Sequence, residues 1–263
     1  MNTILITGAG SGIGAAVARR LSRREGIRLV LWGRRHGPLE EVRRNLDRKD
    51  QHVSVSMDIA DVKAMETWLA GDEADLGTHP LVGVFANAGV GGPNAFGPSD
   101  RWDEIIRINL TGTYNTLMTC RPYLEAAFGV THALVTSSVL ARFGVPGQTA
   151  YVTSKTGLLG LVRSLSVEWS QQRTMVNAIC PGWVDTEMAQ SSIQAMADAQ
   201  GISYEEALDQ QERILPAGRI SRPEEMADWV NFIFSGLGDG ELESRVETFT
   251  GQALDVNSGS WMG

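Results

Sequence analysis

The chain has 263 residues, 43% hydrophobic and 21% charged, which is long and apolar enough to bury one substantial core and excludes a disordered chain. A net charge of −8 argues against a nucleic-acid partner, because neutralising phosphates needs a basic footprint. Two cysteines, Cys120 and Cys180, fit a reducing compartment and lack a metal-ligand partner nearby, and His36, His52, His79 and His132 form no pair at metal or triad spacing. No apolar run approaches the ~20 residues of a membrane span. Met1 to Thr7 runs into a strand without a basic leader, so a cytoplasmic protein is expected.

Apolar runs of strand length alternate with amphipathic segments of helix length. In chain order the pattern predicts a strand at Thr3–Thr7, a helix at Gly12–Arg24, a strand at Arg28–Trp32 and a helix at Gly37–Lys49. A strand at His52–Met57, a helix at Val62–Ala70, a strand at Leu81–Ala86 and a long helix at Ser99–Phe128 follow. Then come a strand at His132–Thr136, a helix at Ala150–Gln171 and a strand at Thr174–Ile179. A helix at Arg222–Phe234, opened by a capping box from Ser221 to Glu224, precedes a last strand at Gln252–Val256. The strands are nearly all apolar, as buried parallel strands are, so the expected class is α/β: a seven-stranded parallel sheet covered on both faces. No linker or repeat divides residues 1–263, and one domain is expected. Two segments depart from the alternation. Thr186–Arg219 carries two short amphipathic helices, the second opened by Ser203 and Glu206, and reads as a lid; Ser235–Thr250 reads as an exposed loop.

Tyr151 and Lys155 are one helical turn apart and share a face. An ammonium beside a phenol lowers its pKa, which suits a tyrosine to moving a proton at a carbonyl oxygen. The first strand runs into Thr7-Gly8-Ala9-Gly10-Ser11-Gly12-Ile13-Gly14 and then a helix, a context in which glycines let backbone approach a pyrophosphate at a helix N-terminus. The second strand ends Leu31-Trp32-Gly33-Arg34-Arg35, with glycine where an NAD site places an acidic residue. Arg34 can bind a 2′-phosphate through its guanidinium fork, so NADP(H) is favoured, with Arg35 beside it.

The spacing T-G-x-x-x-G-x-G, with Asn87-Ala88-Gly89, Asn109, Ser137-Ser138, Tyr151, Lys155, Pro181-Gly182 and Thr186 in order, resembles the short-chain dehydrogenase/reductase family over nearly the whole chain. The resemblance implies a doubly wound Rossmann-type three-layer fold and an enzyme interconverting a ketone and a secondary alcohol. Tyr151 would exchange the proton on oxygen, and Ser138 would hydrogen-bond that oxygen, with Ser137 as the competing serine. Lys155 would also bond the nicotinamide ribose, and Asn109 would hold a water that links Lys155 to solvent. The implied cofactor set is Gly8, Gly10, Ser11, Gly12, Ile13, Gly14, Arg34, Arg35, Asp58, Ile59, Asn87, Ala88, Gly89, Tyr151, Lys155, Pro181, Gly182, Val184 and Thr186. Asp58 would bond the adenine amine and Ile59 would pack on its ring. Ser11 stands where NADP-type relatives often carry a second basic residue, which keeps NAD(H) as an alternative.

The pocket does not follow from the fold, and its candidates are mostly apolar: Gly91, Gly92, Leu140, Phe143, Val145, Gln148, Trp183 and Met188. The segment from Cys180 to Ala189, the two-helix lid and Gly218-Arg219 are most similar to 3-oxoacyl-thioester reductases and polyketide ketoreductases. An acidic carrier protein would need a basic patch here, for which Arg121, Arg142, Arg163 and Arg173 are the candidates. The alternatives are a secondary-alcohol or hydroxysteroid dehydrogenase working mainly in oxidation, and a non-catalytic dinucleotide-sensing regulator. The resemblance further implies a homotetramer, with a homodimer as the alternative; Leu158, Leu161, Val162 and Leu165 are the apolar positions expected to support pairing of the long helices.

Overall fold

A computed structural model describes residues 1–235 and 248–263. Seven parallel strands form one sheet in the order β3-β2-β1-β4-β5-β6-β7. They are β1 (Asn2–Thr7), β2 (Ile27–Gly33), β3 (Val53–Ser56), β4 (Leu81–Ala86), β5 (Thr131–Thr136), β6 (Thr174–Pro181) and β7 (Ala253–Val256). The helices are α1 (Gly12–Leu21), α2 (His36–Arg44), α3 (Val62–Ala70), α4 (Trp102–Ile105), α5 (Thr113–Ala126), α6 (Thr149–Trp169), α7 (Glu187–Gln200), α8 (Tyr204–Arg213) and α9 (Pro223–Ile233).

Strand side chains alternate between faces, and each face has its own core. Ile4, Ile6, Leu29 and Leu31 pack under α1, α2 and α9, whereas Leu5, Val30 and Trp32 pack under α3, α5 and α6. Each fully buried aliphatic side chain contributes about 1.5–3 kcal/mol, so double-sided burial over seven strands drives the architecture. The sheet order reverses between β1 and β4, and the crevice beyond their carboxyl ends is where ligands bind in such folds.

The expected strands occur with ends shifted by no more than two residues. The helices differ more. The first ends at Leu21, and the second at Arg44, just ahead of Arg48 at φ 52°. The long helix expected at Ser99–Phe128 begins at Trp102, whose amide is capped by Asp100 Oδ1 at 3.0 Å. Between α4 and α5 it widens into a π-helical stretch, Ile106–Gly112, of the kind that proteins place at functional sites. The box expected before α9 does not form: one residue on, Arg222 N donates to Glu225 Oε2 at 2.8 Å, but the Arg222 side chain has no acceptor to return the bond, and Pro223 takes the first helical position. Ser221 pairs its hydroxyl with Ser258 instead. The box from Ser203 to Glu206 forms as expected and opens α8. The loop expected at Ser235–Thr250 falls largely on residues 236–247, outside the described residues.

Candidate active site

Sharp turns at the carboxyl end of the sheet build the first half of the site. Gly8 has φ +66°, and a Cβ there would lie 2.9 Å from Ala88 Cα; a Cβ on Gly14 would collide with the Gly8 carbonyl. Only glycine lets β1, the start of α1 and the turn after β4 come this close. Thr7 locks the arrangement: its Oγ1 accepts from Asn87 N at 3.0 Å and Ala88 N at 2.9 Å. Asn87 Nδ2 donates to Thr7 O, and Thr136 Oγ1 donates to Asn87 Oδ1. Ser11 makes no side-chain cap bond to α1, so the first amides of that helix are left without a side-chain cap, as an anion site requires.

One cleft is lined by Gly8, Gly10, Ser11, Gly33, Arg34, Arg35, Asp58, Ile59, Ala88 and Gly89. Nine of the residues expected around a dinucleotide, all of these but Gly33, therefore meet on one surface. Val90, Ile108, Leu39 and Met57 line it too and were not anticipated, because apolar residues in such a chain read as core. Asp58 Oδ1 accepts from Ala60 N at 2.9 Å. Ile59 is buried against Gly112 of the π-helical stretch, so part of its side chain serves the core. Arg35 leans toward Glu187 Oε2 at 4.0 Å, an exposed pair of little energetic weight. Pro181 ends β6, and Gly182, Val184 and Thr186 sit beyond it. Thr186 caps α7 through Ala189 N, and its methyl would lie 3.1 Å from a Cβ on Gly12.

The second half of the site hangs on α6. Lys155 is buried, and its Nζ donates to Thr136 O at 2.8 Å. Burial lowers the Lys155 ammonium to about 8. Its Nζ lies 5.6 Å from the Tyr151 ring centroid. From its spacing to Lys155, the pKa of the Tyr151 phenol is expected to be lowered. The structure shows the opposite direction: burial pushes it above its ordinary value, and a hydrogen bond from Ser138 only partly offsets this. Desolvation of the phenolate outweighs what a lysine engaged with a carbonyl can supply.

Ser138 and Ser137 separate cleanly. Ser138 Oγ accepts from Leu140 N at 3.1 Å, which leaves its own O–H available to Tyr151, with which it is hydrogen-bonded. Ser137 Oγ donates to Lys155 O at 2.8 Å and is committed to the helix. Asn109 is fully buried; its Oδ1 accepts from Val90 N at 2.8 Å, and its Nδ2 donates to Val90 O at 2.9 Å and Ser154 Oγ at 3.2 Å. Its side chain thus fastens the turn after β4 to both long helices, a task the relay expectation did not include. Gly89 is wedged beside it, close to Asn109 Oδ1 and Lys155 Nζ.

Above these groups Met188 of α7 packs on Gly91, a Cβ on which would lie 3.0 Å from Met188 Sδ. Arg101 Nη1 holds Gly91 O at 3.0 Å and crowds Gly92. Leu140, Val145 and Gln148 are half-buried, and Phe143 is exposed, on the stretch between Ser138 and Tyr151. Trp183 is different. It packs with Ile193, Ala197 and Ala207, the small core of α7 and α8. Two arginines of the supposed basic patch are neutralised, Arg142 by Asp255 at 3.0 Å and Arg121 by Glu125 at 2.6 Å. Leu158, Val162 and Leu165 are buried in the chain's own core and are not free to support pairing between copies, whereas Leu161 is half-buried against it. The exposed large apolar residues of α5 and α6 are Tyr114 and Val167.

Residues 2–197 match the family model described as short chain dehydrogenase. The chain belongs to the short-chain dehydrogenase/reductase family. It is an oxidoreductase of that family, whose members bind a nicotinamide dinucleotide, and the cleft at the sheet's switch point fits that group. The chain is 31% identical over 98% of its length to 3-oxoacyl-[acyl-carrier-protein] reductase FabG of Aggregatibacter actinomycetemcomitans, 98% of which is covered. It is 29% identical over 89% of its length to D-beta-hydroxybutyrate dehydrogenase of Cupriavidus necator, with 90% of that protein covered. Among solved structures, a variant of actinorhodin polyketide ketoreductase with NADPH superimposes with a TM-score of 0.86 at 29% identity, covering 98% of this chain and 97% of that one. Among the described residues, no helix is long and apolar enough to cross a membrane.

Proposed function

We propose that this dehydrogenase/reductase uses NADP(H) to reduce a ketone to a secondary alcohol, the carbonyl belonging to a 3-oxoacyl thioester or a polyketide-like chain. The observation that carries the reading is the convergence of Ser138 and Tyr151 beside Lys155, next to the dinucleotide cleft. When bound, the nicotinamide supplies or accepts the hydride at the carbonyl carbon. Tyr151, held protonated by burial, gives its proton to the carbonyl oxygen. Ser138 donates to the same oxygen as charge develops there, its orientation fixed beforehand by Leu140 N. Lys155 as an ammonium stabilises the phenolate that forms, and the Thr136 carbonyl keeps it in place. Arg34, exposed at the end of β2, receives the 2′-phosphate. The helical pair α7 and α8 serves as the lid over the substrate, with Met188 as its contact with the floor at Gly91.

Titration with both dinucleotides tests the cofactor assignment. NADPH is expected to bind more tightly than NADH, and Arg34→Ala to weaken NADPH by ~10-fold or more while sparing NADH. Equal affinities untouched by the substitution would contradict it. NADPH oxidation with a panel of 3-oxoacyl thioesters, cyclic ketones and steroid ketones tests the substrate class, and a flat trace across the panel despite tight cofactor binding would favour a sensor. The similarity to a hydroxybutyrate dehydrogenase supports one second reading, oxidation of a secondary alcohol. NADP⁺ reduction by the matching alcohols, faster than the reverse at neutral pH, would establish it. A homotetramer built through α5 and α6 rests on the family alone, and light scattering showing only monomer would refute it.

A further inference from the structure

The N-terminal turn of α6 carries Tyr151, yet the residue in its cap position, Gln148, makes no side-chain cap bond. The cap comes from elsewhere. Asn94, on the loop that follows the Gly91-Gly92 turn, accepts with Oδ1 from Ala150 N at 2.8 Å and from Thr149 Oγ1 at 3.0 Å. Its own backbone N donates to Gly147 O at 2.9 Å. Its Nδ2 donates to Asp100 Oδ1 at 3.1 Å, and the same Asp100 oxygen caps α4 through Trp102 N. One half-buried amide thus joins the first turns of two helices: the one bearing Tyr151 and Lys155, and the one leading into the stretch that bears Asn109. Farther along, Asn109 Nδ2 and Ser154 Oγ tie the same two helices a second time.

We propose that Asn94 is a positioning residue for the reaction, setting the angle of Tyr151 by capping α6 from the loop beside the pocket. The proposal rests on Tyr151 being the acid/base of the preceding subsection. Ala150, the residue bonded to Asn94, is fully buried and adjacent to Tyr151, so a shift of the cap is passed directly to the phenol. Misplacing a reacting group by ~1 Å can cost up to ~10²-fold in rate. Asn94 is not among the residues that line the dinucleotide cleft, so its loss is expected to act on turnover rather than on cofactor binding. Asparagine suits the position because it accepts from α6 and donates to a carboxylate at once. Aspartate would keep the first function and set two carboxylates against each other.

The test uses Asn94→Ala, Asn94→Asp, Asp100→Asn and the double exchange Asn94→Asp/Asp100→Asn, with Tyr151→Phe in parallel. The probe is the ketone of the panel that is reduced fastest at saturating NADPH, measured well below each variant's unfolding temperature. Asn94→Ala and Asn94→Asp are expected to lower kcat by ~10-fold to ~10²-fold, with NADPH affinity unchanged and the high-pH limb of kcat displaced. The double exchange restores a donor–acceptor pair with the roles reversed, and is expected to return kcat to within ~3-fold of the parent. If Asn94→Ala does not fold, Asn94→Asp against the double exchange carries the comparison. Full kcat in Asn94→Ala with only a lower unfolding temperature, or no recovery in the double exchange, would overturn the proposal. Turnover retained in Tyr151→Phe would instead overturn the acid/base reading, so the two failures are distinct.

Discussion

At Tyr151 two opposing effects act on one phenol. Burial raises its pKa, the Ser138 hydrogen bond lowers it, and burial is the larger. A tyrosine in this condition is protonated at neutral pH and ready to donate, which suits reduction of a carbonyl. Lys155 titrates much nearer neutrality, at about 8, because it too is desolvated. In the proposed mechanism it is, below that value, an ammonium that stabilises the phenolate left when the proton departs; above it, that stabilisation disappears. Reduction is therefore expected to lose kcat/KM as pH rises through about 8, and a profile flat from about pH 7 to about pH 10 would contradict this role for Lys155. The residue types at Ser138, Tyr151 and Lys155 were legible from spacing. The direction of the Tyr151 shift was not, because burial is a property of the packed site and not of a four-residue interval.

Among the elements, the π-helical stretch Ile106–Gly112 shows what a sequence pattern hides. Its apolar residues read as part of one long helix, and nothing in their periodicity marks the widened turn. The turn seats Asn109 so that its amide satisfies both backbone groups of Val90 and reaches Ser154 on α6. Removing it strands the Val90 N–H and C=O. Asn109→Ala is expected to lower the unfolding free energy by about 1–3 kcal/mol, read from the urea midpoint at constant slope. An unchanged midpoint would show that Asn109 holds nothing together. The strands were readable nearly to the residue, since parallel strands buried on both faces are continuous apolar runs. Helix ends were less so, because some are set by contacts distant in sequence, such as Asn94 at Ala150. The same cause hid Thr7 and Thr136, whose site contacts are made across the sheet.

For the whole molecule, acid stability follows from two histidines that the fold keeps neutral. His52 and His132 are buried, and burial lowers both to about 4 from an ordinary 6.5. His52 also accepts from Leu29 N at 3.1 Å, a bond that protonation of that nitrogen would break. Between those pH values the unfolded chain binds protons that the native chain refuses, so stability rises with pH across the window. Glu40 acts lower down: hydrogen bonds from Arg43 and Ser54 hold its carboxyl at about 2, and its contribution fades as pH falls from about 4.5 toward that value. The urea midpoint is expected to drop steadily as pH is lowered from about 6.5 to about 4, and a constant midpoint over that range would contradict the burial of both imidazoles. The parallel sheet was implied by alternation and a dinucleotide site by the glycine turn; the strand order, which sets the switch point, followed from neither. Nor did the pocket, because it is made of loops, such as the one carrying Asn94, whose partners lie on other elements.

The central claim is that Tyr151 moves the proton at a site that binds NADPH without its help. Tyr151→Phe, assayed for NADPH-dependent ketone reduction and titrated separately with NADPH, tests it most directly. The expected result is a loss of at least ~10²-fold in kcat with NADPH affinity within about twofold of the parent protein. Turnover retained within a few-fold would contradict the account.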